Sequence, residues 1–305
     1  MKAIKDFRYK EGMKVDEFVD RIGTIGFQSL HVGKAVEIIT KMKQEKAKII
    51  LTFTSNMVSS GLRGFFAQLI EKKFVDVAIT TVGSIEEDLI KANGKEFLQG
   101  SFDVDDEQLG KEGINRIGNI YVPNEVYGSF EDIITPILEE LYAKKKKWGV
   151  SELLFELGRF VTDEHSILYQ ARKQNIPLFC PAITDGALGL QIYFFKQKHP
   201  DFEIEVTSDM SLLFGSVIEA SKVGCIVLGG GVAKHHAILA NLLRDGMDYV
   251  VYMTTAHAHA GSLSGATTSE AKSWGKIKGE GDAITVIGDV SITFPLVMTR
   301  VLGKN

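Results

Sequence analysis

The feature that most constrains this chain is an alternation: apolar runs of strand length are separated by segments of helical pattern over most of the sequence. Residues 49–54, 75–81, 176–179, 223–228, 249–254 and 283–288 read as strands, with helices expected at 60–72, 84–93, 131–146, 164–173, 208–221 and 234–244. Strands that are apolar nearly throughout belong to sheets covered on both faces, and helices at βαβ spacing supply the cover. The pattern predicts an α/β fold, a doubly wound and mostly parallel sheet with helices on both faces. Right-handed crossovers then bring the loop after each strand to one edge, where ligands bind in such folds. No internal repeat or Pro-rich linker interrupts the 305 residues, so the chain is read as one domain, 1–305, with a helical lead-in. Residues 94–125, polar and Gly-rich, read as a long insertion carrying an arm or loop.

Composition removes several classes of function. A net charge of −4 gives no global attraction to nucleic acid or to an anionic membrane. The one basic run, Lys144 to Lys147, follows a helical stretch and suits a solvated helix C-terminus. Cys180 and Cys225 lie in apolar strand-like contexts, which predicts reduced core thiols rather than a disulfide framework. No signal-type N-terminus and no stretch approaching eighteen apolar residues is present, so a cytoplasmic, soluble protein is expected.

The chemistry-bearing residues fall in the loops after the strands. Near the C-terminus, Trp274-Gly275-Lys276 sets a lysine beside an indole, with Glu270 six residues upstream. Lysine attacks carbon only as the neutral amine, and an aromatic wall cuts the solvation that keeps it charged. Lys276 is therefore the leading nucleophile candidate, although most lysines beside a tryptophan are surface residues. Gly229-Gly230-Gly231 after an apolar run and before a helix has the makings of a phosphate cradle or of a tight strand-to-helix turn. Glu87, Asp185 and Asp289 stand at or just past strand ends, where a ribose hydroxyl needs an acceptor and where helix caps also occur. His257 and His259 share one face of an extended segment, but no further ligand lies at a zinc spacing, so no metal is expected. His235 reads instead as an acid, base or hydrogen-bonding group.

These segments together resemble the deoxyhypusine synthase family over nearly the whole chain. The resemblance rests on Gly26-Phe27-Gln28, Thr54-Ser55-Asn56 with Ser59-Ser60-Gly61, Thr80-Thr81 with Glu86 to Lys91, and Asn115 to Asn119 with Val122 to Glu125. It continues through Thr184-Asp185-Gly186, Gly229 to Val232, Lys234-His235-His236 and Ser273 to Ile277. It implies a Rossmann-like homotetramer with active sites at subunit interfaces and bound NAD. It also implies hydride removal from spermidine, capture of the four-carbon aminobutyl fragment as an imine on Lys276, and transfer to a lysine of a translation factor precursor. Some relatives pass the fragment to putrescine, as homospermidine synthases. NAD contacts are implied at Ser55, Asn56, Ser59, Thr81, Glu87, Asp185, Gly230, Thr255 and Asp289, and polyamine contacts at His235, Glu270, Trp274 and Lys276.

The departures are as specific as the matches. Leu190 and Leu263 occupy substrate-site positions where the family places acidic residues, and Ala260 and Leu239 replace polar ones. An ammonium buried without its carboxylate loses several kcal/mol, roughly orders of magnitude in Kd. An amine less charged than spermidine, or held differently, is therefore expected. A non-catalytic NAD-binding paralogue is the alternative from outside enzymology, and retention of Trp274-Gly275-Lys276 speaks against it. The extended N-terminal segment that covers the site in eukaryotic members is expected to be missing.

Overall fold

Strand-forming runs from both ends of the chain meet in one sheet. In a computed structural model, which describes residues 2–303, the chain forms two compact units. The first comprises the residues up to Phe53 and from Leu212 onward; the second is Thr54–Ser211. The sequence marks neither boundary: one follows directly on an apolar strand, and the other falls inside the helix Ser208–Ile218. The first residue and the last two of the expected span 1–305 lie outside the described residues.

In the first unit four parallel strands lie in the order Ile277–Ile287, Met247–Thr254, Val223–Leu228, Lys48–Thr52. Val223–Leu228 is buried at every position, because it pairs on both sides, with Cys225 opposite Ile50 on one neighbour and Val250 on the other. Such a strand has no solvent face, which is why its sequence shows no alternation. The helix Phe27–Gln44 packs on this sheet through Ala35, Ile38, Ile39 and Met42, spaced three and four apart and all essentially inaccessible. Burial of Ile39 contributes roughly 1.5–3 kcal/mol. A Cβ on Gly224 would come within 2.7 Å of the Met42 sulfur, so the glycine makes room for this helix. Two side chains fix the helix to the edge strand: the Gln28 amide oxygen accepts from the Ile287 N–H at 2.7 Å, and His31 Nδ1 lies 2.7 Å from the Thr285 carbonyl.

The second unit has a parallel pair, Val77–Ile79 with Leu178–Phe179, and a second parallel pair, Lys147–Gly149 with Glu203–Glu205. Around them lie the helices Arg63–Glu71, Val82–Ala92, Phe130–Lys144, Val150–Leu157, Ile167–Gln174 and Ala187–Lys198. The architecture is the α/β, mostly parallel one that the alternation predicts. Residues 94–125, expected to carry an arm or loop, hold regular structure. They form a three-stranded antiparallel sheet, Leu98–Gln99, Ile120–Pro123 and Ile114–Ile117, and a short helix, Asp106–Lys111, whose first turn donates to the Asp105 carboxylate at 2.9 and 3.1 Å. Its strands are short and mostly half-exposed, so hydrophobic periodicity, which reports burial, does not mark them.

The basic run lies where the helix Phe130–Lys144 ends, and its lysines pair with carboxylates: Lys144 with Glu156 at 2.8 Å, Lys145 with Glu152 at 2.6 Å, Lys147 with Glu205 at 3.2 Å. Both cysteines are free and buried, and burial pushes their thiols up to about 12. Among the described residues no helix is long and apolar enough to cross a membrane.

Candidate active site

The segment that carries Lys276 is built by a helix ending. Thr267 caps the helix Thr268–Ser273, its hydroxyl accepting from the Glu270 N–H at 3.3 Å. At the other end Gly275 adopts φ +67°, its N–H reaches the Lys272 carbonyl at 3.0 Å, and the Lys276 N–H reaches the Ala271 carbonyl at 3.0 Å. This double closure around a left-handed glycine is the Schellman motif, and it explains the glycine between tryptophan and lysine. The Lys276 carbonyl then accepts from the Met247 N–H at 3.1 Å, and the chain enters the strand Ile277–Ile287. The backbone of Lys276 is thus held on both sides. Among the described residues its amine has no hydrogen bond or ion pair; it lies 5.3 Å from the centre of the Trp274 ring.

A cavity of about 410 Å³ in the first unit is lined by Lys276, Trp274, Glu270, His235 and Leu263, bringing five of the expected site residues together. The His235 imidazole and the Glu270 carboxylate also lack hydrogen-bond and ion-pair partners among the described residues. Trp274 does not form the buried wall expected of it. As the residue that ends a six-residue helix it stands at the cavity rim, 66 % exposed. Leu190, the sixth expected substrate residue, does not line this cavity; it lies half-exposed on the helix Ala187–Lys198 of the second unit.

Two groups on the cavity wall were not singled out by the sequence. Lys234, in the first turn of the helix Gly231–Ala240, is 1 % exposed. Its ammonium donates to the carbonyls of Leu263 and Ala266, each at 2.8 Å, and lies 4.3 Å from the centre of the Tyr252 ring. Burial lowers its pKa from 10.5 to about 8, against the pull of Glu270. One signal was available: a cation in the first turn opposes the helix dipole, so a lysine there needs acceptors from elsewhere in the fold. Tyr252 is also buried, and among the described residues its hydroxyl has no hydrogen-bond partner.

The residues expected to hold a dinucleotide fall in both units. In the first, Gly230, Thr255 and Asp289 each follow a parallel strand and so share one edge of the sheet. Gly229 and Gly231 adopt φ +78° and +64°, and a Cβ on Gly230 would come 2.3 Å from the Ser264 hydroxyl. The turn is thus closed to any side chain, and the Ser264 hydroxyl accepts from the Gly231 N–H at 3.1 Å, the first of the helix. Asp289 caps the helix Val290–Leu302, accepting from the Ser291 N–H at 2.7 Å. In the second unit the Thr81 hydroxyl accepts from the Ser55 N–H at 3.0 Å, and the Ser59 hydroxyl donates to Glu87 at 2.7 Å. Burial raises the Glu87 carboxyl from 4.5 to about 7. Asn56 and Asp185 are exposed. His257 and His259 are exposed too, and among the described residues no group of three or more ligating side chains could hold a metal.

Known proteins resemble this chain over nearly its whole length. The deoxyhypusine synthase family model matches residues 17–301. A "Probable deoxyhypusine synthase" of Thermococcus onnurineus (strain NA1) is 43% identical, covering 94% of this chain and 91% of that protein. One of Thermoplasma acidophilum is 39% identical, covering 99% and 97%. A crystal structure described as a candidate deoxyhypusine synthase, from Entamoeba histolytica, superposes with a TM-score of 0.73 at 28% identity, over 99% of this chain and 97% of that one. The matched span, residues 17–301, includes the glycine turn, the Lys234-His235 helix and the Trp274-Gly275-Lys276 ending: the chain belongs to the deoxyhypusine synthase family.

Proposed function

We propose that this chain is an NAD-dependent transferase that moves an aminobutyl-type alkylamine group through an imine on Lys276. The observation that carries the reading is the meeting of an uncommitted lysine, histidine and carboxylate around one cavity, in a chain of this family. The glycine turn sets a helix N-terminus at the sheet edge, whose positive end favours a phosphate nearby. Glu87, buried with one hydroxyl donor, fits a ribose hydroxyl. In the first unit Gly230, Thr255 and Asp289 would contact NAD; Ser55, Asn56, Ser59, Thr81, Glu87 and Asp185 are the second unit's candidates for the same role. When bound, NAD supplies a reversible acceptor for the hydride on the carbon beside an amine nitrogen.

The remaining steps belong to the chain's own residues. Glu270 holds an ammonium of the amine. Lys276, as the neutral amine, adds to the oxidised carbon and forms a new C–N bond; the original C–N bond breaks, and the departing amine takes its proton from His235. An acceptor amine, a protein lysine or a small diamine, then displaces Lys276 by the reverse exchange. The rigid backbone around Lys276 supports this role, because covalent capture depends on holding the reacting atoms in place. The exposed indole at the cavity rim supports a homotetramer with active sites at subunit interfaces, since a large apolar group beside a pocket is suited to cover by a neighbour.

The test is covalent trapping. Incubation with NAD and a panel of polyamines, followed by borohydride reduction and mass spectrometry, is expected to give an alkylamine adduct on Lys276. Identical spectra for wild type and Lys276→Ala with every amine would remove the imine mechanism; NAD binding without amine-dependent absorbance of reduced nicotinamide would leave a non-catalytic paralogue.

A further inference from the structure

The helical run that starts at Ser55 does not continue straight into the helix Arg63–Glu71: a wide turn, Val58–Leu62, with Gly61 at φ +99°, separates them. A turn wound wider than an α-helix breaks the regular ladder of hydrogen bonds. One ammonium supports it. Lys91 of the helix Val82–Ala92 donates to the carbonyls of Val58 and Ser59, at 2.8 and 3.2 Å, and its nitrogen lies 4.6 Å from the centre of the Phe97 ring. The turn held in this way carries the Ser59 side chain, whose hydroxyl meets Glu87 at 2.7 Å. Glu87 stands four residues before Lys91 on the same helix, the order in which a glutamate and a lysine attract most. All of these contacts lie inside the second unit.

Glu86 shares the helix with Glu87 and Lys91, and Tyr127, on the segment Asn124–Gly128, has its phenol held protonated by burial and by the two glutamates. Arg63 and Asp88 act on Lys91. Burial raises the Glu87 carboxyl to about 7; the Ser59 hydroxyl and the Lys91 ammonium hold it down, and Glu86 pushes it up.

We propose that Lys91 is the positioning residue for Glu87: it holds the wide turn that aims the Ser59 hydroxyl at the carboxylate and sets a positive charge one helical turn away, so that Glu87 meets the dinucleotide as an oriented anion. The inference rests on the reading of Glu87 as the acceptor for a ribose hydroxyl and adds the group that prepares it. An ionised acceptor makes the shorter and stronger hydrogen bond.

Two variants of the full-length protein test it. Lys91→Gln keeps an N–H donor for a carbonyl and drops the charge, while Lys91→Arg keeps both. Without the cation the Glu87 carboxyl should hold its proton about one pH unit higher. In calorimetry with NAD, Lys91→Gln is expected to bind about fivefold more weakly than wild type at pH 6 and within about twofold at pH 8.5; Lys91→Arg should stay within about twofold of wild type at both. A second readout needs no dinucleotide. Wild-type stability falls with rising pH until Glu87 has lost its proton, near pH 7, and in Lys91→Gln urea midpoints should go on falling to about pH 8. A fall that stays near pH 7 in Lys91→Gln overturns the proposal, whether or not NAD binds, and so does an equal shift in Lys91→Arg. A fall that moves only in Lys91→Gln, while NAD fails to bind or is weakened equally at both pH values, keeps the positioning of Glu87 and removes its ribose role instead.

Discussion

The helix Val82–Ala92 of the second unit and the cavity beside Lys276 in the first use charged residues in opposite ways. On the helix three consecutive carboxylates are buried. Asp88 accepts from the Arg63 guanidinium, the Ser166 hydroxyl and the N–H groups of Ile167 and Leu168, so it closes the start of the helix Ile167–Gln174. Glu86 accepts from the Leu188 N–H at 2.8 Å, at the start of another helix. Glu87 has the Ser59 hydroxyl at 2.7 Å, and burial raises its pKa to about 7. In the cavity the buried member is a base, Lys234, saturated by carbonyls, while Lys276, His235 and Glu270 stand without such partners. A charged group whose hydrogen bonds are all taken holds the fold. One that keeps unmet capacity beside a cavity or sheet edge is available to a ligand.

Substitutions at these positions can break that division. The largest effect on activity is expected from Lys276→Ala, a loss of at least about a thousandfold in kcat/KM, with the urea midpoint within about 0.5 kcal/mol of wild type because the amine holds nothing. A large loss of stability would place Lys276 among the structural groups. Asp88→Ala should do the reverse, costing about 3–5 kcal/mol by stranding the Ser166 hydroxyl and the N–H groups of Ile167 and Leu168 and by leaving Arg63 with Asp163 alone of its two carboxylates; urea denaturation measures it.

Lys234→Met is expected to cost about 1–3 kcal/mol through the carbonyls it strands. It also has a pH signature. With the folded pKa near 8 and the unfolded one near 10.5, the unfolded chain binds more protons between those values, so wild-type stability rises with pH there. Lys234→Met should remove that rise, which denaturation at pH 8 and pH 10 would show.

The smallest effect is expected from Glu87→Gln, and it has the opposite sign. The folded carboxyl holds its proton up to about pH 7 and the unfolded one only to about 4.5, so wild-type stability falls as pH rises through that window. The amide should flatten this slope when midpoints at pH 5 and pH 7 are compared. An unchanged slope would mean that Glu87 is as fully satisfied as Asp88.

Much of the fold was readable because the sequence repeats one physical statement, that a strand covered on both faces must be apolar throughout. The strand Val223–Leu228 has the limits that the pattern predicts, and the helix Val82–Ala92 begins two residues before the expected 84. The antiparallel sheet within residues 94–125 was not readable, since half-exposed strands leave no such mark. Within the site, the segment Trp274-Gly275-Lys276 was legible as a lysine beside an indole, but the indole at the rim was not. Exposure depends on where a helix ends, and six residues of helix carry little amphipathic signal.

By itself the sequence determined the α/β class and the family, and it named Lys276, Trp274, Glu270, His235 and Leu263, which line one cavity, because apolar periodicity and ordered motifs are local properties of the chain. Only the tertiary structure decided which charged groups are saturated and which are free. That depends on acceptors far away in sequence, such as the carbonyls of Leu263 and Ala266 that meet Lys234, and a local pattern carries no record of partners brought together by folding.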